Sequence, residues 1–263
     1  MIENEILPRI GQIKVAAVTT RDVEDLHRGV SKRAPIRANR VLAVASKMFS
    51  LAVSWEYRRD NPCRGTERNL EHKRDRYYSP AEIARLNEAL GDYTNQVAAN
   101  AVRFLMLTGA RRGEVLSAQW NHIDLVEGIW TKPSAHTKQQ REHRIPISRP
   151  AMQLLTEMRT SSSGESDYIF PGRVAGRPLT DLKKVWAFAV GRAGLHDARL
   201  HDLRHSFASI LVSSGSNLPL IGAMLGHTQP QTTARYAHLY DAPLREAAEK
   251  VGAVIEAATD NAE

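Results

Sequence analysis

The chain has a single cysteine, Cys63, in 263 residues. That excludes an internal disulfide and a thiolate metal cluster, and leaves Cys63 the part of a small, partly buried apolar residue. No run of about 18 apolar residues is present, so no membrane-spanning helix is expected. No signal-peptide pattern opens the chain either, and a cytoplasmic location follows as the expectation. Internal repeats and low-complexity segments are missing too. What is present is ordinary globular composition, 42% apolar and 25% charged, long enough for one large domain or two smaller ones. The formal net charge is +7 and the isoelectric point near 9.7, which points to an anionic partner. The surplus is uneven. Residues 1–78 carry 16 Lys/Arg against 10 Asp/Glu, and the remainder 20 against 19. The positive excess therefore sits in the first third, as a solvated basic surface or one that tracks a nucleic-acid backbone.

Taken in order, residues up to Val18 include Pro8 and Gly11 and show no clear helical period. Thr19-Thr20-Arg21-Asp22 predicts a helix start, cap hydroxyls before an acidic turn, with the helix running over Val23, Leu26 and His27 and fading at Gly29. A longer helix is expected from Arg37 to Arg58, where Val41, Leu42, Ala45, Met48, Phe49, Ala52 and Val53 form one apolar stripe; Asn61-Pro62 stops it. Arg64 to Tyr78 has no such stripe and is dense in Arg, Lys and His, so it reads as a solvated linker or a segment lying along phosphates. Ser79-Pro80-Ala81-Glu82 is a strong helix start, with a capping serine, proline at the first position and a capping-box glutamate. Asn95 to Leu107 is apolar nearly all round and is expected in the core. Ile123-Asp124-Leu125, Ile129-Trp130 and His143 to Ile147 predict a small antiparallel sheet, with a turn at Thr137–Arg141. Helices are then expected at Ala151–Arg159, Thr180–Arg192 (capped by Thr180-Asp181), His201–Ser214, Leu218–Leu225, Gln231–His238 and Leu244–Ala257. The fold class is thus mainly α with a small antiparallel β-sheet, divided into 1–72, a basic linker 73–78, and 79–263.

Four short motifs carry chemistry: Thr108-Gly109-Ala110-Arg111, His201-x-x-Arg204, Gly226-His227, and Arg235-Tyr236-Ala237-His238. A tyrosine hydroxyl titrates at about 10, so it is a poor nucleophile at neutral pH unless its phenolate is stabilised or its proton removed. Attack on a phosphodiester gathers charge on the non-bridging oxygens. A metal-free site must answer with fixed cations, which arginine supplies best through its planar fork. His201 and Arg204, three apart, share a helix face.

In this order and spacing the motifs resemble the tyrosine recombinase, or phage integrase, family, over residues from about 108 to 240. The resemblance implies a helical core-type DNA-binding domain followed by a catalytic domain. It implies that Tyr236 attacks the scissile phosphate and leaves a 3′-phosphotyrosyl link and a free 5′-hydroxyl. Arg111 and Arg204 would clamp the phosphate, His201 and His227 would handle protons, and Lys138 would protonate the leaving oxygen. Glu114 matches the acidic residue that supports the first arginine. The implied activity is site-specific integration or excision of a mobile element, without metal or cofactor. The implied partners are double-stranded DNA, a homotetramer on two recombination sites and accessory DNA-bending proteins, with no membrane. Relatives of this kind carry more sequence ahead of the part matching residues 1–70, so the chain is expected to begin partway through its first domain.

Duller readings stand beside these. Arg111 and Arg112 could be surface charges, His201 and His205 a zinc pair without a third ligand, and Tyr236 a core tyrosine with Tyr240 and Tyr168 as rival nucleophiles. Lys132 competes with Lys138 for the lysine role. At the level of function, a truncated non-catalytic DNA-binding remnant and a type IB topoisomerase-like strand-passing enzyme remain the alternatives.

Overall fold

A computed structural model describes residues 1–71, 74–133, 142–161, 164 and 166–260, and the chain divides into two compact units, Met1–Arg74 and Asp75–Glu263. In the first unit a helical turn at Ile2–Ile6 leads into α1 (Leu7–Ile10), then come α2 (Thr20–Ser31) and α3 (Pro35–Ser54). The opening is therefore helical where the sequence showed no period. Its pieces are too short to display one, yet Ile6 and Ile10, four apart, are both buried against Val23, Leu26, Val30 and Val41. At α2, Thr19 and Asp22 close a capping box in both directions. The helix runs past Gly29 because Val30 is needed in the core. Conversely α3 stops four residues short of Arg58, since Glu56 takes a left-handed backbone at φ 61°.

Polar side chains stitch this unit's surface loops to its helices. Asn39 donates to the Asn69 carbonyl and to Glu71, both at 2.8 Å. Asn61 ties Ser46 and Ser50 to the amide of Cys63. Burial pushes the Cys63 thiol up to about 11, so it packs as an inert apolar group.

Near the start of the second unit Tyr78, which the sequence assigns to the linker, is buried, its amide donating to Ser206 Oγ at 2.7 Å. It continues as α4 (Pro80–Gly91), α5 (Gln96–Thr108) and α6 (Arg112–Leu116). The Ser79–Glu82 capping box forms, and Arg76 bonded to Glu82 holds that carboxyl down at about 2. The short α6 was not foreseen. A three-stranded antiparallel sheet follows in the order β1 (Ile123–Asp124), β2 (Ile129–Lys132), β3 (His143–Pro146), pairing Ile123 with Trp130, Trp130 with Ile145 and Lys132 with His143. Trp130 packs on Phe104 of α5, and Phe104 on Phe170, at ring separations of 5.1 and 5.9 Å.

Then come α7 (Arg149–Ser161), α8 (Lys183–Arg192), α9 (Asp202–Ser213), α10 (Leu218–Leu225), α11 (Pro230–Ala234) and α12 (Asp241–Asp260). Three expectations need correction. Helix α8 starts at Lys183, whose amide takes Asp181 Oδ1 at 3.0 Å, so Thr180 does not cap it. The helix expected over Gln231–His238 is two pieces, α11 and a 3-10 turn at Ala237–Tyr240, with Tyr236 at the break. The final helix is also longer than Leu244–Ala257 at both ends. Among the described residues no helix is long and apolar enough to cross a membrane.

Candidate active site

Two left-handed glycines bring the motif residues together. Helix α5 ends at Gly109 with φ 60°, and a Cβ there would lie 2.5 Å from the Phe207 ring. Helix α10 ends at Gly226 with φ 66°, where a Cβ would lie 2.9 Å from the His143 ring. Only glycine combines that backbone with that approach. The first turn delivers Arg111 and the second delivers His227.

Arg204, on α9, is 4% exposed and bridges both turns, donating to the Gly109 carbonyl at 2.8 Å and to the Leu225 carbonyl at 2.6 Å. Arg111 donates to the next carbonyl, Gly226, at 3.2 Å. The two guanidinium groups are thus tethered to successive carbonyls of one turn. Arg111 also binds Glu114 Oε1 at 2.8 Å, while its side chain stays 39% exposed. Lys132 of β2, only 2% exposed, binds the other oxygen of Glu114 at 2.9 Å and sits over the Trp130 ring. Burial alone would raise the Glu114 pKa, but Lys132 and Arg111 outweigh it and bring the carboxyl below its usual range. Burial, together with Arg111 nearby, lowers Arg204 to about 10, which leaves it charged at neutral pH. Arg111 and Lys132 therefore share one carboxylate, with Arg204 held beside them on carbonyls, so three cations stand against one anion.

The histidines do not add to that charge. Burial, then Arg204 and Arg111, press His227 down to about 4, and its Nδ1 meets Thr233 Oγ1 at 2.8 Å. His201 stands at the N-cap of α9, and His143 contacts the Ala223 carbonyl through Nε2 at 2.6 Å; both titrate below the ordinary imidazole range, chiefly through desolvation. Tyr236 is 1% exposed, packed with Ala208, Val212, Ile221 and Leu225, and its hydroxyl lies 2.7 Å from His205 Nδ1. Burial raises its pKa, against opposing effects of Arg235 and Arg204.

Five residues singled out from sequence therefore share one neighbourhood: Arg111, His201, Arg204, His227 and Tyr236. Lys138 lies outside the described residues. Lys132, its rival, is engaged with Glu114. In the sequence His205 pairs with His201 only by zinc-like spacing, and among the described residues no group of three metal-ligating side chains gathers. Its place against Tyr236 is new, as are the buried Lys132 and His143 beside Gly226. A cavity of about 1270 Å³ between α4, α5, α7 and α9 is lined by none of these residues.

Comparison with known proteins places both units of the chain in one family. Residues 76–242 match the phage integrase family, and residues 1–69 match the phage integrase central domain. The chain belongs to the phage integrase family. Prophage integrase IntZ of Escherichia coli (strain K12) is 29% identical over 222 residues, 83% of this chain and 54% of the relative. A shufflon-specific DNA recombinase of Escherichia coli is 31% identical over 231 residues, 86% of this chain and 57% of the relative. The chain thus spans little more than half the length of these two relatives. Among solved structures, a lambda integrase dimer bound to a COC′ core site shares the fold at TM-score 0.72 and 16% identity, over 91% of this chain and 86% of that one. A lambda integrase tetramer bound to a Holliday junction shares it at TM-score 0.67 and 17% identity, over 81% of this chain and 65% of that one.

Proposed function

We propose that the chain is a site-specific DNA recombinase that cuts and rejoins strands through a 3′-phosphotyrosyl intermediate, promoting integration or excision of a mobile element. One observation carries this reading: Arg111 and Arg204, 93 positions apart in sequence, donate to the successive carbonyls of Gly226 and Leu225. Fixed guanidinium groups with surplus charge suit a phosphate and the extra charge of its transition state. Tyr236 Oη forms the new bond to phosphorus as the bond to the 5′-oxygen breaks. The phenol proton passes to a neutral imidazole, His201 or His227, and Lys138 supplies a proton to the leaving oxygen. The phosphotyrosyl ester retains the energy of the broken bond, so a second 5′-hydroxyl reverses the step on another strand.

In this reading residues 79–263 form the catalytic domain and residues 1–72 a DNA-binding domain whose basic surface follows the duplex backbone. The working assembly is a homotetramer on two sites, a reading supported by the lambda integrase tetramer on its junction. The test uses nicked duplexes tiled across the DNA flanking the chain's own coding sequence, together with a two-site plasmid. The wild type should form a covalent adduct and recombine the two sites, and Tyr236→Phe should bind the same duplexes without an adduct. Relaxation of supercoils without exchange of sites would favour the topoisomerase reading, and binding without any adduct would favour a DNA-binding remnant.

A further inference from the structure

The chemistry above gives no part to His205, although His205 is the group that touches the nucleophile. Tyr236 sits at the break between α11 and the following 3-10 turn, with its ring sealed among Ala208, Val212, Ile221 and Leu225. Arg235 lies over the ring face at 5.7 Å. The hydroxyl lies 2.7 Å from His205 Nδ1, and the His205 ring meets His201 edge-on at 5.0 Å. His205 is the next residue after Arg204 and one helical turn after His201, so α9 presents the anion clamp and the tyrosine's partner side by side. In the free protein the phenol is buried and already hydrogen-bonded, whereas Arg111 is open to solvent. The hydroxyl at rest is thus engaged by His205 in a sealed place, whereas a phosphate would enter from solvent beside Arg111.

We propose that His205 is a positioning residue: its Nδ1 holds the Tyr236 hydroxyl in a buried resting place, and strand cleavage starts when the hydroxyl leaves His205 for the phosphate held by Arg111 and Arg204. The steps after release rest on the recombinase reading, but the resting place is a property of the protein without DNA. Burial raises the phenol, while burial with Arg235 and His201 lowers His205 to about 4, so at rest the proton stays on Tyr236 and the neutral imidazole accepts. The hydrogen bond stores the nucleophile and does not activate it.

The test compares the full chain with His205→Ala, His205→Leu and His205→Asn. Tetranitromethane nitration is followed at each tyrosine by mass spectrometry, with Tyr168 as internal reference and circular dichroism as the check on folding. Removing the acceptor should speed Tyr236 nitration by about fivefold, the factor one neutral hydrogen bond of ordinary net strength supplies. Leucine fills the volume if alanine does not fold. Asparagine, which places an amide atom near the position of Nδ1, should restore the wild-type nitration rate. Unchanged nitration in folded His205→Ala or His205→Leu would overturn the proposal, and so would equally fast nitration in all three variants. On the nicked duplexes, His205→Ala should form adduct faster by a similar factor. A slower adduct alongside faster nitration would make His205 part of the chemistry and overturn the resting-place assignment. If no variant or wild type forms any adduct while nitration behaves as expected, the recombinase reading fails and the His205–Tyr236 contact stands.

Discussion

Each unit builds arginines around a buried glutamate, and the two clusters end differently. In the first unit Glu5 is buried and bound by Arg9, Arg33 and Arg37, whose side chains reach well into solvent. In the second unit Glu114 binds Arg111 and a fully buried Lys132, and Arg204 is buried beside them on carbonyls alone. Among the described residues no carboxylate lies within ion-pair distance of Arg204. The first cluster is anchored inside and hydrated outside, so its charge is already solvated. The second holds charge in a place that water only partly reaches, where an anion gains most by arriving. This contrast separates an ion-paired, hydrated surface from a site with charge left over for an anion.

Arg204→Ala tests the contrast hardest. It removes a fixed donor at the point of charge build-up, and single-turnover adduct formation should fall on the order of 10³-fold while duplex binding is kept. A loss confined to binding would place Arg204 with the surface arginines. Next in size, Glu114→Gln strands Lys132 as a buried, unpaired charge and should destabilise the chain by about 3 kcal/mol in a denaturant melt. Glu5→Gln should cost less, because its arginines can rehydrate; equal losses would erase the distinction between the clusters.

Gly226→Ala should cost roughly 1–2 kcal/mol from its left-handed backbone alone, with the His143 ring adding to it. It should also slow cleavage by displacing the carbonyl that Arg111 uses. The smallest effect is on pH. His205 and His227 are held down to about 4 in the folded state, so between pH 6.5 and 4 the unfolded chain binds more protons. Stability is then complete above pH 6.5 and declines as pH falls toward 4, read in calorimetry as a melting temperature that drops across that window. A flat profile there would mean that these imidazoles are solvated like surface groups.

Much of the site was legible because its parts are local. Thr108-Gly109-Ala110-Arg111 and Leu225-Gly226-His227 each join a helix end to the residue it delivers, and a left-handed glycine announces such an end in sequence. His201 and Arg204 share a helix face by spacing alone. The sheet was legible from β-branched and aromatic pairs bounded by turn residues. The missing parts depend on distant neighbours. Helix α6 is only five residues long and is held by Glu114, whose carboxylate accepts from both the Arg111 amide and the Arg111 guanidinium, contacts that no periodicity displays. Lys132 reads only as a rival of Lys138 until Glu114, 18 positions earlier, is known to face it. The break at Tyr236 arises where its ring must turn into the pocket between α9 and α10, and His205 looks like half of a zinc pair until that turn sets the phenol against it.

The most direct measurement is to trap the covalent intermediate on a nicked duplex, digest both components, and map the nucleotide-modified residue by mass spectrometry. The expected result is modification of Tyr236 alone, abolished in Arg111→Ala and Arg204→Ala. Modification of Tyr240 or Tyr168, or an adduct on Tyr236 that persists when both arginines are gone, would contradict it.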